Sequence, residues 1–331
     1  MAELSWTEAQ WQKINDAVME AFGKASVATA FLPCYGPLAG GTETVRNERL
    51  SEKDGTTTIN LDADHDAANL KLVNLTVKVE LSSEQVADET IANALLAFRR
   101  AANILAQEED RIVFDGYKRG GKDSQFVANA LDPQQGLADA LARLDFVSLV
   151  DRRGPSVVTA VVKAIEKLED TSNPGPFACI LGNKLFEAVH EPTSSMVLPA
   201  DRITPIVKGP LLRSGKMDEH TGIVVSLSAN AVDIVVGNPP TVQFLQRTEE
   251  GRFLFRVYER FVLRLRDIVR PPVAGFKFPS ADSVKQGITG ANIGVDNAEK
   301  ALSQAIDVLQ EAAVADERRQ YSRVRGGKED A

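Results

Sequence analysis

The sequence predicts an α+β fold, with its longest helix in the first half and its sheet concentrated toward residue 278. Three observations carry this. Residues 84–114 place Ile91, Leu95, Phe98, Ala102, Leu105 and Ile112 along one apolar stripe, which marks a long amphipathic helix. The runs GIVVSLSANAVDIVVG (222–237) and RFLFRVYERFVLRLR (252–266) are dense in β-branched and aromatic residues and predict strands. Residues 44–62 read TVRNERL, SEKDG and TTTINLD, two β-prone runs around Asp54 and Gly55. That pattern predicts a hairpin arm with little core of its own, and such an arm is stable only when it lies on something else.

Taken in order, Ser5 and Glu8 have the spacing of a capping box. Trp11, Ile14, Val18 and Phe22 follow at helical spacing, and Gly23 is a plausible stop. FLPCYGPLAGG is a turn-rich connection, and NLKLVNLTVKVELS, 69–82, alternates as a strand. After the long helix, helical patterns recur at 134–147 and 155–169. Asn173, Pro174, Gly175 and Pro176 break the chain. FACILG then reads as a buried strand, NKLFEAVH as a short helix, and the Pro-rich 190–220 as loop. Residues 295–320 carry Ala298, Leu302, Ala305, Leu309 and Ala312 in a heptad-like stripe, and the end of the chain looks flexible.

Composition narrows the function classes. The 331 residues are 44% hydrophobic and 25% charged, an ordinary globular balance. The formal net charge of -8 argues against a general nucleic-acid binder. Cys34 and Cys179 lie far apart with no CxxC spacing, so both are expected as small buried apolar residues in a reducing compartment. The start, MAELSWTEAQWQKINDA, lacks the basic, then apolar, order of a signal peptide, and no apolar run is long enough for a bilayer. The expected location is cytoplasmic.

Motifs with chemical content fail one by one. In RIVFDGYKRGGKDS, Gly116, Gly121 and Lys122 fit a phosphate loop, but Asp123 stands where a hydroxyl must meet magnesium. A helix rather than a strand precedes it, so the stretch reads as a Gly-rich helix exit. Asp62, Asp64 and Asp66 begin like a calcium loop, yet Ala67 replaces the turn glycine and Val73 the bidentate glutamate. His65, His190 and His220 have no partner at metal-ligand spacing, and no GxSxG elbow occurs. Glu108, Glu109 and Asp110 are expected to face solvent at a helix end. The sequence therefore offers no catalytic set, no metal ligands and no cofactor site.

The order of elements, with the stretches LSWTEAQWQKINDAVMEAF, AQEEDRIVFDGYKRGG, NPGPFACILGNKLFEAV and RFLFRVYERFVLRL, resembles the encapsulins. These are linocin-like shell proteins of family 1, built on the tailed-phage major capsid protein (Hong Kong 97-type) fold. The resemblance spans residues 4–278. FLPCYGPLAGG departs from the family's Gly-Pro-x-Gly-Trp stretch, and 279–331 continues past the family pattern. It implies an N-terminal helix and connection over 1–43, an extended arm over 44–68, and a peripheral domain with its spine helix over 69–132 and 222–278. An apical domain would occupy 133–221, and 279–331 would be a C-terminal extension bracing the exterior.

The function implied is that of a non-enzymatic shell subunit, self-assembling into an icosahedral homo-oligomer. Its cargo would be a protein with a C-terminal loading peptide, a peroxidase or a ferritin-like protein. By position, Trp11, Ile14, Val18 and Phe22 would contact that peptide, and His190, Glu191 and Asp201 would line a pore loop. Neither nucleic acid nor membrane is an expected partner. A phage or prophage capsid protein is the alternative; a stand-alone protease or bacteriocin is a more distant one.

Overall fold

The computed structural model describes residues 4, 6–52, 59–62, 69–117, 126–127, 135–141, 146–193, 196–228, 231–267 and 269–278. All lie in one compact unit, 1–278; the rest of the chain, 279–331, forms a second unit. The expected helix at 295–320, the Asp54-Gly55 turn, the end of the phosphate-loop stretch and most of the acidic Asp62–Asp66 loop fall outside the described residues.

Helix α1 spans Glu8–Ala25, followed by a 3-10 turn at Ala28–Ala30 and a short strand β1, Cys34–Tyr35. The arm contains β2 (Thr44–Arg46), β3 (Arg49–Glu52), β4 (Ile59–Asp62) and β5 (Asn69–Lys71). Then come β6 (Val73–Leu81), α2 (Ser83–Ala87), the spine helix α3 (Ala92–Asp115), α4 (Leu137–Leu141) and β7 (Val147–Ser148). The next stretch holds α5 (Gly154–Asp170), β8 (Phe177–Gly182), α6 (Asn183–His190), α7 (Pro199–Val207) and β9 (Leu211–Ser214). Strands β10 (Thr221–Ser226), β11 (Val232–Arg247), β12 (Phe253–Leu265) and β13 (Val273–Lys277) close the unit.

Two sheets organise it. The first runs β1-β11-β12-β6, and the second β7-β13-β10-β8-β9. The stretch 222–278 therefore supplies strands to both. On β6 the buried residues alternate, Val73, Leu75, Val77, Val79 and Leu81, so one face meets the spine helix and the other is more open. On β8 all six residues are buried, because α5, α6 and α7 cover that sheet. The arm is a doubled hairpin: β2 pairs β5 and β3 pairs β4, with Glu52 opposite Ile59 on either side of the expected turn.

Three expectations change. The capping box is Thr7 with Gln10, not Ser5 with Glu8: Gln10 N donates to Thr7 Oγ1 at 3.3 Å, and Thr7 N to Gln10 Oε1 at 2.8 Å. The later start leaves Trp6 outside the helix, free to turn into the core. The helix expected over 84–114 divides at 88–91, where Asp88 accepts from Thr90 N at 2.9 Å and Ile91 takes a left-handed φ of 51°. This lets Ile91 stay buried while the two helices take different directions. The expected loop 190–220 contains α7 and β9. Pro199 sits in the first turn of α7, where its missing N–H costs nothing, and Ala200, Ile203 and Val207 give the helical spacing of its buried face.

The main core lies between α1, the spine helix and the first sheet. Its aromatic centre is Trp6, stacked on Phe255 at 5.1 Å between ring centroids and edge-on to Phe98 at 6.2 Å. Trp6 Nε1 donates to Val86 O at 2.9 Å, so its polar end is satisfied. Phe255→Ala should therefore cost about 3–5 kcal/mol of unfolding free energy, because it leaves a cavity that three elements cannot jointly collapse. Urea denaturation followed by tryptophan fluorescence measures this directly.

Candidate functional site

The site of interest is where α1 leaves its helix and meets the spine. Asp110 accepts from Val27 N at 2.9 Å and Ala28 N at 2.8 Å, and Ser26 Oγ donates to it at 3.3 Å. It thus caps the turn after α1 from a different helix. Ser26 Oγ also donates to Glu109 Oε2 at 2.9 Å. Glu108, next in line, pairs with Arg111. All three acids are buried, which overturns the solvent-facing reading. Glu109 follows Leu105 and precedes Ile112 at helical spacing, so it occupies a place in the apolar stripe itself.

A third element adds to this. On β12 the inward positions are Phe253, Phe255, Val257, Glu259 and Phe261, so Glu259 takes a core position. It is 3% exposed, and its Oε1 has no hydrogen-bond partner among the described residues. Burial, then the neighbouring Glu109 and Asp110, hold the Glu259 carboxyl well above the usual carboxylate range. Burial pushes Glu109 up to about 8, against the Ser26 hydrogen bond, with Asp110 adding to the rise. Asp110 is raised by burial too, but Ala28 N–H, Val27 N–H, Ser26 and Lys216 pull the other way. Asp110, with the most hydrogen-bond donors around it, is the member best placed to carry negative charge, while burial favours the protonated forms of Glu109 and Glu259. Among the described residues no group of three or more His, Cys, Asp or Glu is arranged to bind a metal ion.

The cysteines divide. Cys179 is buried in β8, with its thiol pushed up to about 12 by desolvation, but Cys34 is exposed on β1, contrary to expectation. Strand β1 is only two residues long and pairs with β11 at its edge, so it cannot bury both faces. Nearby, Arg264 donates Nε to Asp233 Oδ1 at 2.8 Å across β11 and β12 and lies 5.1 Å over the Tyr35 ring.

Of the four helix residues singled out in the sequence, Ile14 and Val18 are fully buried and Phe22 is 6% exposed; all three pack into the chain's own core. Trp11 alone reaches the surface, half-buried beside Trp6 at 5.3 Å. Asn15, on the same helix, accepts from Val242 N at 3.1 Å and fastens α1 to β11. His190, Glu191 and Asp201 are all exposed. His190 ends α6, stacked near Phe186 with Nδ1 2.8 Å from Phe186 O, and Glu191 follows it. Asp201 sits apart from them in the first turn of α7.

Residues 2–262 match the family model Linocin_M18, described as encapsulating protein for peroxidase. The chain is 26% identical over 279 residues to the type 1 encapsulin shell protein EncA of Myxococcus xanthus, covering 80% of this chain and 92% of that one. Its fold matches the virus-like particle of Pyrococcus furiosus with a TM-score of 0.61 and 17% identity, over 82% of this chain and 100% of the other. It also matches the capsid of Myoviridae phage XM1, with a TM-score of 0.51 and 12% identity, over 77% and 92% of the two chains. The fold is that of the Hong Kong 97-type capsid proteins. No described helix is long and apolar enough to cross a membrane.

The buried carboxyls make stability depend on pH with a definite sign. A carboxyl near 8 in the folded chain, against an ordinary 4.5, stabilises fully below pH 4.5 and loses that contribution as pH climbs to about 8. Glu109→Gln keeps the acceptor for Ser26 and removes the proton. Its melting temperature relative to the native chain should be higher at pH 8 than at pH 5. Calorimetry at the two values checks this; an identical pH profile would contradict the assignment.

Proposed function

Because the chain belongs to the Linocin_M18 family of encapsulating proteins, we propose that it is the shell subunit of an encapsulin nanocompartment. Many copies close into an icosahedral cage and enclose a cargo protein that carries a C-terminal loading peptide. The observation that carries this reading is the arm. Strand β4 leaves Ile59 67% and Leu61 58% exposed, two residues apart and so on one face. An apolar strand face left uncovered among the described residues is what a neighbouring copy would cover, and heterologous contacts of this kind close when the rotation between copies is fixed.

In this reading the first sheet and the spine helix form the peripheral domain, and the second sheet with α5, α6 and α7 forms the apical one. His190, Glu191 and Asp201, all at the surface of the apical part, line a pore loop. Trp11 is the side chain of α1 that meets the loading peptide, and Ile14, Val18 and Phe22 form the packed floor that holds the helix in place. The family description favours a peroxidase as cargo, with a ferritin-like protein the other class. A phage capsid role draws on the same fold, but the family match runs to the encapsulating proteins.

Size-exclusion chromatography and negative-stain microscopy of the protein expressed alone should give closed particles of uniform diameter. Replacing Ile59 and Leu61 together by Asp should leave the circular dichroism spectrum unchanged and abolish those particles. Trp11→Ala should leave particle diameter unchanged while lowering the amount of co-expressed, peptide-tagged cargo that co-purifies. Small oligomers from the native chain, with and without cargo, would count against the shell reading.

A further inference from the structure

A groove runs beside the C-terminal part of α1, along the spine helix and on to α6 and β9. Two hollows of about 570 and 830 Å³ meet there, sharing Ala25 and Gln107. We propose that this continuous groove binds an extended acidic peptide segment of a partner protein.

The charges point that way. Arg99 and Arg100 border one end, and Arg213 and Lys216 the other. None of these four has an ion-pair partner among the described residues. The acids along the groove are occupied. Glu20 pairs with Lys24, Glu187 with Lys184 at 2.9 Å, and Asp110 is held beneath by the backbone N–H groups of Val27 and Ala28. Arg213 lies 5.8 Å over the Phe186 ring, Lys216 faces Asp110 and Arg99 faces Glu20, but the lining still holds five cations (Lys24, Arg99, Arg100, Arg213, Lys216) against three acids. In a chain of net charge -8, that local excess favours an anionic ligand.

The walls between the ends favour a peptide. Asn103, Gln107 and Asn183 line the groove, and their side-chain amides make no hydrogen bond within the described structure. An amide both donates and accepts, as an extended backbone requires. From Arg100 to Asp110 the spine advances about 15 Å at 1.5 Å per residue, the reach of about five extended residues.

The test uses the purified full-length chain and a fluorescent eight-residue peptide alternating Asp or Glu with Gly or Ser, read by anisotropy. Saturable binding is expected, weakened at least about tenfold by Arg213→Ala with Lys216→Ala, since two charge-assisted contacts are lost. Arg99→Gln with Arg100→Gln, on the exposed face of the spine, should weaken it as well without disturbing the core. Higher salt should also weaken it. A peptide with every acid replaced by its amide should bind far less. Absence of saturable binding, equal binding of the amide peptide, tighter binding of a single-stranded oligonucleotide of equal charge, or unchanged affinity in both variants would overturn the proposal. None of these outcomes depends on closed particles or loading-peptide cargo, so the groove and the shell reading fail separately.

Discussion

The interaction on which the rest of the unit depends is the grip of Asp110 on the turn after α1. Two backbone N–H groups and a serine hydroxyl reach it from a segment more than eighty residues away in sequence. Hydrogen bonds to a charged acceptor are stronger than neutral ones, and removing that acceptor would leave buried donors unpaired. This contact sets where α1 ends and how it crosses the spine. With Asn15 fastened to β11, it also sets the floor against which Trp6, Phe98 and Phe255 pack. Burial raises the Glu109 and Glu259 carboxyls beside it, which favours their neutral forms and limits repulsion within the cluster.

Much of the fold was legible in residue patterns. The stripe from Phe98 to Ile112, the alternation of β6 and the run Phe177–Gly182 each have one period and one solution. The arm was legible in part: the runs on either side of Asp54 and Gly55 pair as β3 and β4, but β2 pairs with β5, which lay within the single strand expected over 69–82. What was not legible followed from tertiary demands. Trp6 had to leave the helix to be buried, so the cap moved two residues along. The Asp88 turn broke a helix whose apolar stripe ran through the break. Proline at 199 marked a helix start rather than a loop because Ala200, Ile203 and Val207 follow at the right spacing.

The buried acids were the larger miss, and a signal for them existed. Glu109 interrupts Leu105 and Ile112 at the stripe position, and Glu259 interrupts Val257 and Phe261 at the inward strand position. An acid on the apolar face of one element is a local conflict. Two such conflicts, on elements that the fold brings together, compound each other, since Glu109 raises the buried Glu259 carboxyl further. Adjacent acids at 108–110 hid this, because a charge run at a helix end is usually solvated. The N-terminal helix was legible as an element, but of the four residues singled out on it only Trp11 keeps its side chain at the surface.

The two flanks of α1 now differ in physical character. One is aromatic, with Trp11 beside Trp6 and Phe255; the other is polar, lined by side-chain amides and by more cations than acids. A helix pinned at its end by Asp110 and along its length by Asn15 cannot roll to exchange them. Whatever docks on either flank therefore meets a preformed surface and does not bear the cost of ordering it. Repetition multiplies this: in a closed assembly each weak site recurs once per subunit, and a multivalent partner gains from all copies within reach. Rigid seating of one helix by a buried carboxylate is what allows weak surface chemistry to count.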